Sequence, residues 1–167
     1  PQPTATPEGI SPQQDLAAII ESAADGDTIH LGSGVFTLEK GFEITKNLTI
    51  SGRGPDQTTI VANAPGPNYA AMITNSGSGT LTLQGLKISY AGTDPAAVIF
   101  GNSGSLSLID CYVEGATLSS QGKQLGALHL AGDTITSVQN CRIAGSTSRV
   151  SPDKDEKVPG GILIYEN

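Results

Sequence analysis

Three tyrosines and two cations along the chain have the chemistry to bind a sugar. Lys87, Tyr112 and Arg142 share one position in three copies of a repeated sequence phrase. Aromatic rings pack against the apolar faces of sugars, and cations pair with carboxylates, so this set suits an acidic glycan such as a uronate. The sequence therefore predicts a ligand-binding surface made of Tyr90, Tyr112, Tyr165, Lys87 and Arg142.

Residues that could catalyse a reaction are scarce on the same strands. Hydrolysis of a glycosidic bond needs two carboxyl groups, one to protonate the leaving oxygen and one to activate water. Successive repeats carry no pair of aspartates at the positions that we expect to face outward. We therefore predict no catalytic residue, no metal site and no cofactor in this segment, although the sequence leaves enzymatic activity open.

Three weaker candidate sites each have a simpler interpretation. Cys111 and Cys141 form either a redox pair or two buried thiols stacked about 4.8 Å apart in successive coils; disulfide geometry favours the thiols. His129 is either a metal ligand or a surface histidine, and its distance in sequence from His30 favours the surface residue. The acidic segment 148–158 lacks the regular spacing of a calcium loop, which favours a solvated loop.

A row of apolar residues forms the candidate interaction surface. Aligning four short apolar segments predicts that Ile73, Ile99, His129 and Leu163 face outward in one row. Ile164 is expected to lack a further coil to pack against. Exposed apolar bands tend to be covered, and we predict either a partner or self-association surface here, or loops that fold over the row.

The organisation of the chain follows from its repeats. The phrases GTLTLQGLKISYAG (79–92), GSLSLIDCYVEGA (104–116) and DTITSVQNCRIAG (133–145) alternate apolar and polar residues. This alternation predicts two short strands in each phrase. The strands join at a bend marked by residue types that tolerate turn conformations, namely Gly85, Asp110 and Asn140.

A second series of apolar segments gives the period. Its members align on Ala71, Ala97, Ala127 and Gly161, at steps of 26, 30 and 34 residues. Strands that recur at such intervals without helices between them predict a solenoid. Because the strand segments keep their length while the spacers grow, the insertions are expected along one edge of the solenoid.

Composition agrees with an aliphatic solenoid and excludes several partners. The 167 residues include no Trp, 21 Gly and only 4% aromatic residues. The formal net charge of −7 argues against nucleic acid and anionic membranes as partners. No apolar run is long enough to insert into a membrane.

The two ends of the sequence differ. Residues 1–10 are Pro/Thr-rich and predict the remnant of a linker, which suggests an extracellular or cell-surface protein with further parts. In the segment 11–27, Ser11 is the expected N-cap of an amphipathic helix that covers the first strands. Residues 11–167 then form the solenoid domain, which we expect to be truncated at its C-terminal end because no second capping segment follows.

Residues 12–167 resemble right-handed parallel β-helix proteins of the pectin-lyase-like superfamily. The resemblance rests on LAAIIESAADGDTIHLGSGVF, ITKNLTISGRGPDQTTIV, LTLQGLKIS and AAVIFGNSGSLSLIDCYVEGA. It implies an all-β fold, a right-handed parallel β-helix (solenoid) with an N-terminal capping α-helix. The superfamily includes pectate lyases and polygalacturonases as well as adhesins and tailspikes, so the resemblance does not specify a function. The hydrolase words NTD, DD and GHG are absent from the sequence.

Two functions follow as hypotheses. The first is a non-catalytic extracellular module that binds a polysaccharide or a protein, or acts as a spacer. The second is the N-terminal part of a polysaccharide lyase or glycoside hydrolase with its catalytic coils beyond residue 167. An uncovered C-terminal strand further predicts a homodimer, because an open edge offers unpaired backbone groups.

Overall fold

Short strands follow one another along the chain, with one short helix before them. The structure is a computed structural model that describes residues 9–67, 70–119, 126–131, 134–144, 147–149 and 162–164. The elements of these residues are α1 (Leu16–Ser22), β1 (Asp27–His30), β2 (Gly34–Leu38), β3 (Phe42–Ile44), β4 (Leu48–Ser51), β5 (Thr58–Ala62), β6 (Ala71–Asn75), β7 (Thr80–Gln84), β8 (Lys87–Tyr90), β9 (Ala97–Gly101), β10 (Ser105–Ile109), β11 (Tyr112–Glu114), β12 (Thr117–Ser119), β13 (Leu128–Leu130), β14 (Ile135–Gln139), β15 (Arg142–Ala144), β16 (Thr147–Arg149) and β17 (Ile162–Ile164).

Fifteen of the seventeen described strands form three parallel sheets of five strands each. The first sheet has the order β1-β4-β7-β10-β14, the second β2-β5-β8-β11-β15, and the third β3-β6-β9-β13-β17. Each coil of the chain therefore adds one strand to each sheet, and the paired strands run parallel. This architecture confirms the all-β solenoid with an N-terminal helix that the repeats predicted.

Aliphatic side chains at equivalent positions stack into rows inside the solenoid. In the first sheet, Ile50, Leu83 and Leu108 are register partners, and each is fully buried. The second sheet contributes an equally buried row, formed by Ile60, Ile88 and Val113. Burial of each such side chain contributes roughly 1.5–3 kcal/mol to the free energy of unfolding. The register that stacks these buried side chains also places the outward-facing residues of successive coils in rows.

The bend between the first and second sheets is a column of left-handed residues. Gly85 has φ 61°, Asp110 has φ 51° and Asn140 has φ 53°. Glycine takes this conformation without steric cost, and Asp and Asn are the side chains that tolerate it best. The predicted bends are therefore confirmed at all three positions.

The helix α1 starts later than the sequence suggested. Asp15, not Ser11, is the N-cap, and its carboxylate accepts a hydrogen bond of 3.1 Å from the backbone N–H of Ala18. Ser11 instead donates its backbone N–H to the Gln14 side chain over 2.9 Å, in a turn before the helix. Both residues are good N-cap types, so local sequence did not distinguish them.

The helix covers the first coil as expected. Leu16 and Ile20 of α1 are each 3% exposed and belong to the core. Lys46 donates to the carbonyls of Glu21 and Ala23 and so satisfies backbone groups at the C-terminal end of α1. No helix in the described part of the chain is long and apolar enough to cross a membrane.

The chain is already packed just before the helix. Ile10 forms an isolated parallel bridge with Leu31 and donates its backbone N–H to the carbonyl of His30 over 2.7 Å. Residues 1–8, which make up most of the predicted linker remnant, lie outside the described residues. The division into a linker and a solenoid domain stays a prediction.

The connections that lengthen from coil to coil share one edge of the solenoid. They join the second sheet to the third, after β8, β11 and β15. Two of them contain the strands β12 and β16, which pair with each other in parallel. The expectation that insertions lie on one edge is confirmed for these connections.

The third sheet corrects the predicted apolar row. Ala71 pairs with Ala97 as expected, but Leu128 pairs with Ile99, one residue away from the predicted register. The backbone N–H groups of Val98 and Ile99 both donate to the carbonyl of Ala127, as in a bulge. A one-residue shift exchanges the two faces of a strand.

Ile73 and Ile99 consequently do not face outward, and that prediction is wrong. Both are fully buried in the core cluster, in one row with Leu128. The neighbours Met72 and Val98 are also fully buried. Strands buried on both faces lose the apolar–polar alternation that distinguishes inside from outside in the sequence.

The two cysteines occupy equivalent positions in successive coils. The backbone N–H of Cys111 lies 3.4 Å from the Cys141 sulfur, and both thiols are free. The prediction of stacked thiols rather than a disulfide is confirmed. Cys111 is buried as expected, and so is Leu86. Cys141 is partly exposed, so the prediction of two buried thiols is wrong for Cys141.

Candidate functional site

The second sheet brings three of the five predicted ligand residues together. Tyr112 is the register partner of Lys87 on one side and of Arg142 on the other. Their in-strand neighbours Ile88, Val113 and Ile143 belong to the core or pack against it. Alternation along each strand therefore turns Lys87, Tyr112 and Arg142 outward. We call these three residues the cationic row.

The ring of Tyr112 lies between the two cations. The Lys87 Nζ atom is 5.2 Å from the ring centroid, and the Arg142 Cζ atom is 4.9 Å from it. Both distances are typical of cation–π contacts. Two positive charges therefore lie close to the same ring, and these contacts leave less of the ring free to stack on a sugar.

Glu114 completes the cluster from the adjacent outward position of β11. Its carboxylate lies 2.7 Å from the Lys87 Nζ atom. Hydrogen bonding to Lys87, and secondly to Tyr112, lowers the pKa of Glu114. The same hydrogen bond to Glu114 raises the pKa of Tyr112. Glu114 is thus held ionised, and its negative charge partly neutralises Lys87. Arg142 is exposed and contacts the ring of Tyr112.

Glu114 was not predicted as a site residue. Its position two residues after Tyr112 was the available signal, because residues i and i+2 of a strand share a face. The carboxylate changes what the site can do, since a ligand anion has to compete with it for Lys87.

Tyr90 does not belong to this surface, and its predicted ligand role is corrected. It is 3% exposed, and its hydroxyl donates to the Asp94 carbonyl over 3.0 Å. Burial raises the pKa of this hydroxyl. Tyr90 lies two residues after the buried Ile88, so both side chains point into the core. Tyr165 lies outside the described residues.

The remaining predicted interface residues lie in the third sheet. His129 is partly buried and pairs in register with Phe100 and Leu163. The rings of His129 and Phe100 are 4.7 Å apart between centroids, and burial lowers the pKa of His129. Leu163 and Ile164 belong to β17, and their side chains lie outside the described part. The interface role of these three residues stays a prediction.

Acid–base chemistry depends on a proton donor in the cluster around the cationic row, and metal binding depends on ligands among the described residues. Among them, no group of three or more His, Cys, Asp or Glu side chains is placed to hold a metal ion. Within the cluster around the cationic row, Glu114 is the carboxylate, and its lowered pKa makes it a poor proton donor. The acidic residues of the segment 148–158 lie outside the described residues.

Comparison with known proteins supports the fold. No family model matches the chain, and no curated protein matches its sequence. Among solved structures, a pectin methylesterase mutant in complex with a hexasaccharide matches with a TM-score of 0.53 and 17% sequence identity. The alignment covers 82% of this chain and 49% of that chain, so the chain spans about half the length of the enzyme.

The sheets and this comparison together define the class of protein. The chain is a right-handed parallel β-helix, as the resemblance implied, with a fold shared with a carbohydrate-active protein. At this level of identity the likeness concerns the fold alone.

Proposed function

We propose that this chain is a non-catalytic polysaccharide-binding β-helix module, and that its site is the cationic row with Glu114. The observation that carries the proposal is the pair of cations, Lys87 and Arg142, on the two strands that flank Tyr112, at 5.2 and 4.9 Å from the centroid of its ring. Positive charges in fixed positions suit a ligand with repeated negative groups, and the guanidinium of Arg142 can form two parallel hydrogen bonds with one carboxylate.

The ligand class that fits best is an acidic glycan. Lys87 and Arg142 lie two strands apart, which corresponds to about 10 Å. A polymer with an acidic group on successive sugars can reach both cations. The complex of a pectin methylesterase mutant with a hexasaccharide concerns that protein, but it supports a glycan as the first ligand to test. A glycan ligand also favours an extracellular or cell-surface location.

Binding of galacturonate oligomers tests the proposal. We expect titration calorimetry to show that Arg142→Ala weakens binding at least tenfold, because a charge-assisted hydrogen bond is worth about 1.5–3 kcal/mol. Glu114→Gln should tighten binding, since it releases Lys87 from its ion pair. Lys40→Ala is the matched control, as it removes an exposed cation after β2, away from the site.

Two results would overturn the proposal. One is the absence of binding to every acidic glycan tested. The other is an equal loss of affinity in Arg142→Ala and Lys40→Ala, which would indicate an effect of overall charge instead of a site. Rising salt should weaken binding in the wild type and less so in Arg142→Ala.

A carbohydrate-active enzyme is the second candidate, because the structural neighbour is an esterase. Unsaturated products, new reducing ends or released methanol from pectin would indicate turnover. The loss of that activity on substituting a single acidic residue would favour the enzyme over the binding module.

A further inference from the structure

We infer that the site extends along the solenoid axis into a second, uncharged subsite formed by Val35 and Thr59, so that the ligand is an acidic glycan which continues into neutral sugars. This inference rests on the proposed function and deepens it.

The direction of the ligand follows from the register. Lys87 and Arg142 belong to β8 and β15, on either side of β11. A ligand that touches both cations must cross β11, and it therefore runs across the strands, parallel to the solenoid axis. Glu114, on the neighbouring outward position, repels an anionic ligand that would instead lie along the strand.

The row continues in one direction within the described residues. Lys87 is the register partner of Thr59, and Thr59 is the partner of Val35. On the other side, Arg142 lies on the outer strand of the described second sheet. Within the described residues, a glycan longer than the cationic row can therefore extend over Thr59 and Val35. The whole row, from β2 to β15, spans about 19 Å.

The two halves of this face differ in charge. The outward positions on β2 and β5 are occupied by Val35, Thr37, Thr59 and Val61, all uncharged. The outward positions on the next three strands include Lys87, Glu114 and Arg142. A carboxylate over β2 and β5 would find no cation among these four residues to pair with. A neutral sugar needs no such partner.

Val35 supplies the contact that favours a neutral sugar. Its side chain is 57% exposed, one of the few large apolar residues of the described chain that face solvent. The methyl groups of Val35 and Thr59 can pack against the C–H face of a sugar and remove apolar surface from water. This contact is independent of ligand charge.

The test uses three oligosaccharide probes that share an acidic trimer and differ in whether, and at which end, neutral sugars extend it. They are a galacturonate trimer and two hexasaccharides in which the same trimer is extended by three neutral galactose units, at one end or at the other. We expect one of the two hexasaccharides, the one that extends toward β2, to bind at least fivefold more tightly than the trimer. The other should bind like the trimer.

A pair of variants locates the effect. Val35→Asp should remove the advantage of the favoured hexasaccharide and leave the trimer unchanged. Thr28→Asp, which adds the same charge at an exposed position of the first sheet, should change neither. Thermal unfolding of both variants checks that the fold is kept.

The outcomes separate the two proposals. If the trimer binds and neither hexasaccharide binds more tightly, the neutral subsite is refuted and the cationic row stands. If Val35→Asp and Thr28→Asp affect the hexasaccharide equally, the subsite is also refuted. If none of the probes binds, the proposed function fails and the inference fails with it.

Discussion

The two ends of the described solenoid differ in how completely their buried rows are covered. At the N-terminal end, Leu16 and Ile20 of α1 are 3% exposed, and Ile29 of the first strand is 5% exposed. At the last described coil, Val138 is 42% exposed, although its register partner Leu108 is fully buried.

The difference shows that burial in a β-helix depends on the next layer. Residues of the same type occupy the same row at both ends, and each coil contacts only its neighbours. A row position is therefore buried only where a further coil or a cap lies beside it. Three predictions test this view, from the largest expected effect to the smallest.

Truncating an isoleucine at each end should give unequal losses of stability. Ile20→Ala is expected to lower the free energy of unfolding by about 3 kcal/mol, because it opens a cavity under the cap. Ile143→Ala, at a partly exposed position of β15, should cost roughly 1 kcal/mol, since less apolar area is lost. Equilibrium unfolding in urea measures both, and equal losses would contradict the comparison.

The two thiols should differ in reactivity. Cys111 is 2% exposed, and burial raises its pKa to about 11, so little thiolate is present near pH 8. Cys141 is partly exposed in the last described coil. A disulfide reagent should label Cys141 at least 100-fold faster, a ratio that follows from the pKa and accessibility of Cys111.

Single variants assign the two phases of labelling. Cys141→Ser should abolish the fast phase, and Cys111→Ser should leave it intact. A fast phase that survives Cys141→Ser would show that the middle of the solenoid opens as readily as its end.

Self-association should involve the less covered end. Strands β14 and β15 are the outer strands of their sheets in the described chain, and such edges attract other strands. Because α1 covers the opposite end, we predict a weak dimer that joins two like ends about a twofold axis. The alternative interface through Ile73 and Ile99 is removed, since both are buried.

Sedimentation across a concentration series checks this prediction. Val138→Lys should raise the dissociation constant at least tenfold, whereas Val35→Lys, the same change at an exposed site far from that end, should not. A strict monomer at high micromolar concentration would disprove the dimer.

Part of the candidate site could be read from the sequence. Equivalent positions in the repeated phrases placed Lys87, Tyr112 and Arg142 in one row, and the register confirms it. The same alternation, applied to Tyr90, would have placed its side chain beside Ile88 in the core. The predicted ligand role of Tyr90 is wrong because a tyrosine at an inward position of the alternation packs into the core.

The pairing of charges could not be read in the same way. The sequence shows that Lys87 and Glu114 face outward, but not that their side chains meet at 2.7 Å. Long side chains choose among several partners on a sheet face, and the choice depends on distances across strands.

The sequence by itself determined the solenoid, the bends at Gly85, Asp110 and Asn140, and the rows of the first two sheets. Alternation with a period of two separates the inward from the outward residues of each strand, and residue types that tolerate a left-handed conformation mark the bends between strands. Only the tertiary structure decided the register of the third sheet, where apolar residues fill both faces and a shared acceptor at Ala127 shifts the pairing by one residue. It also decided which of two good caps starts the helix. The coverage of the row ends was decided there too, because it depends on contacts between residues distant in sequence.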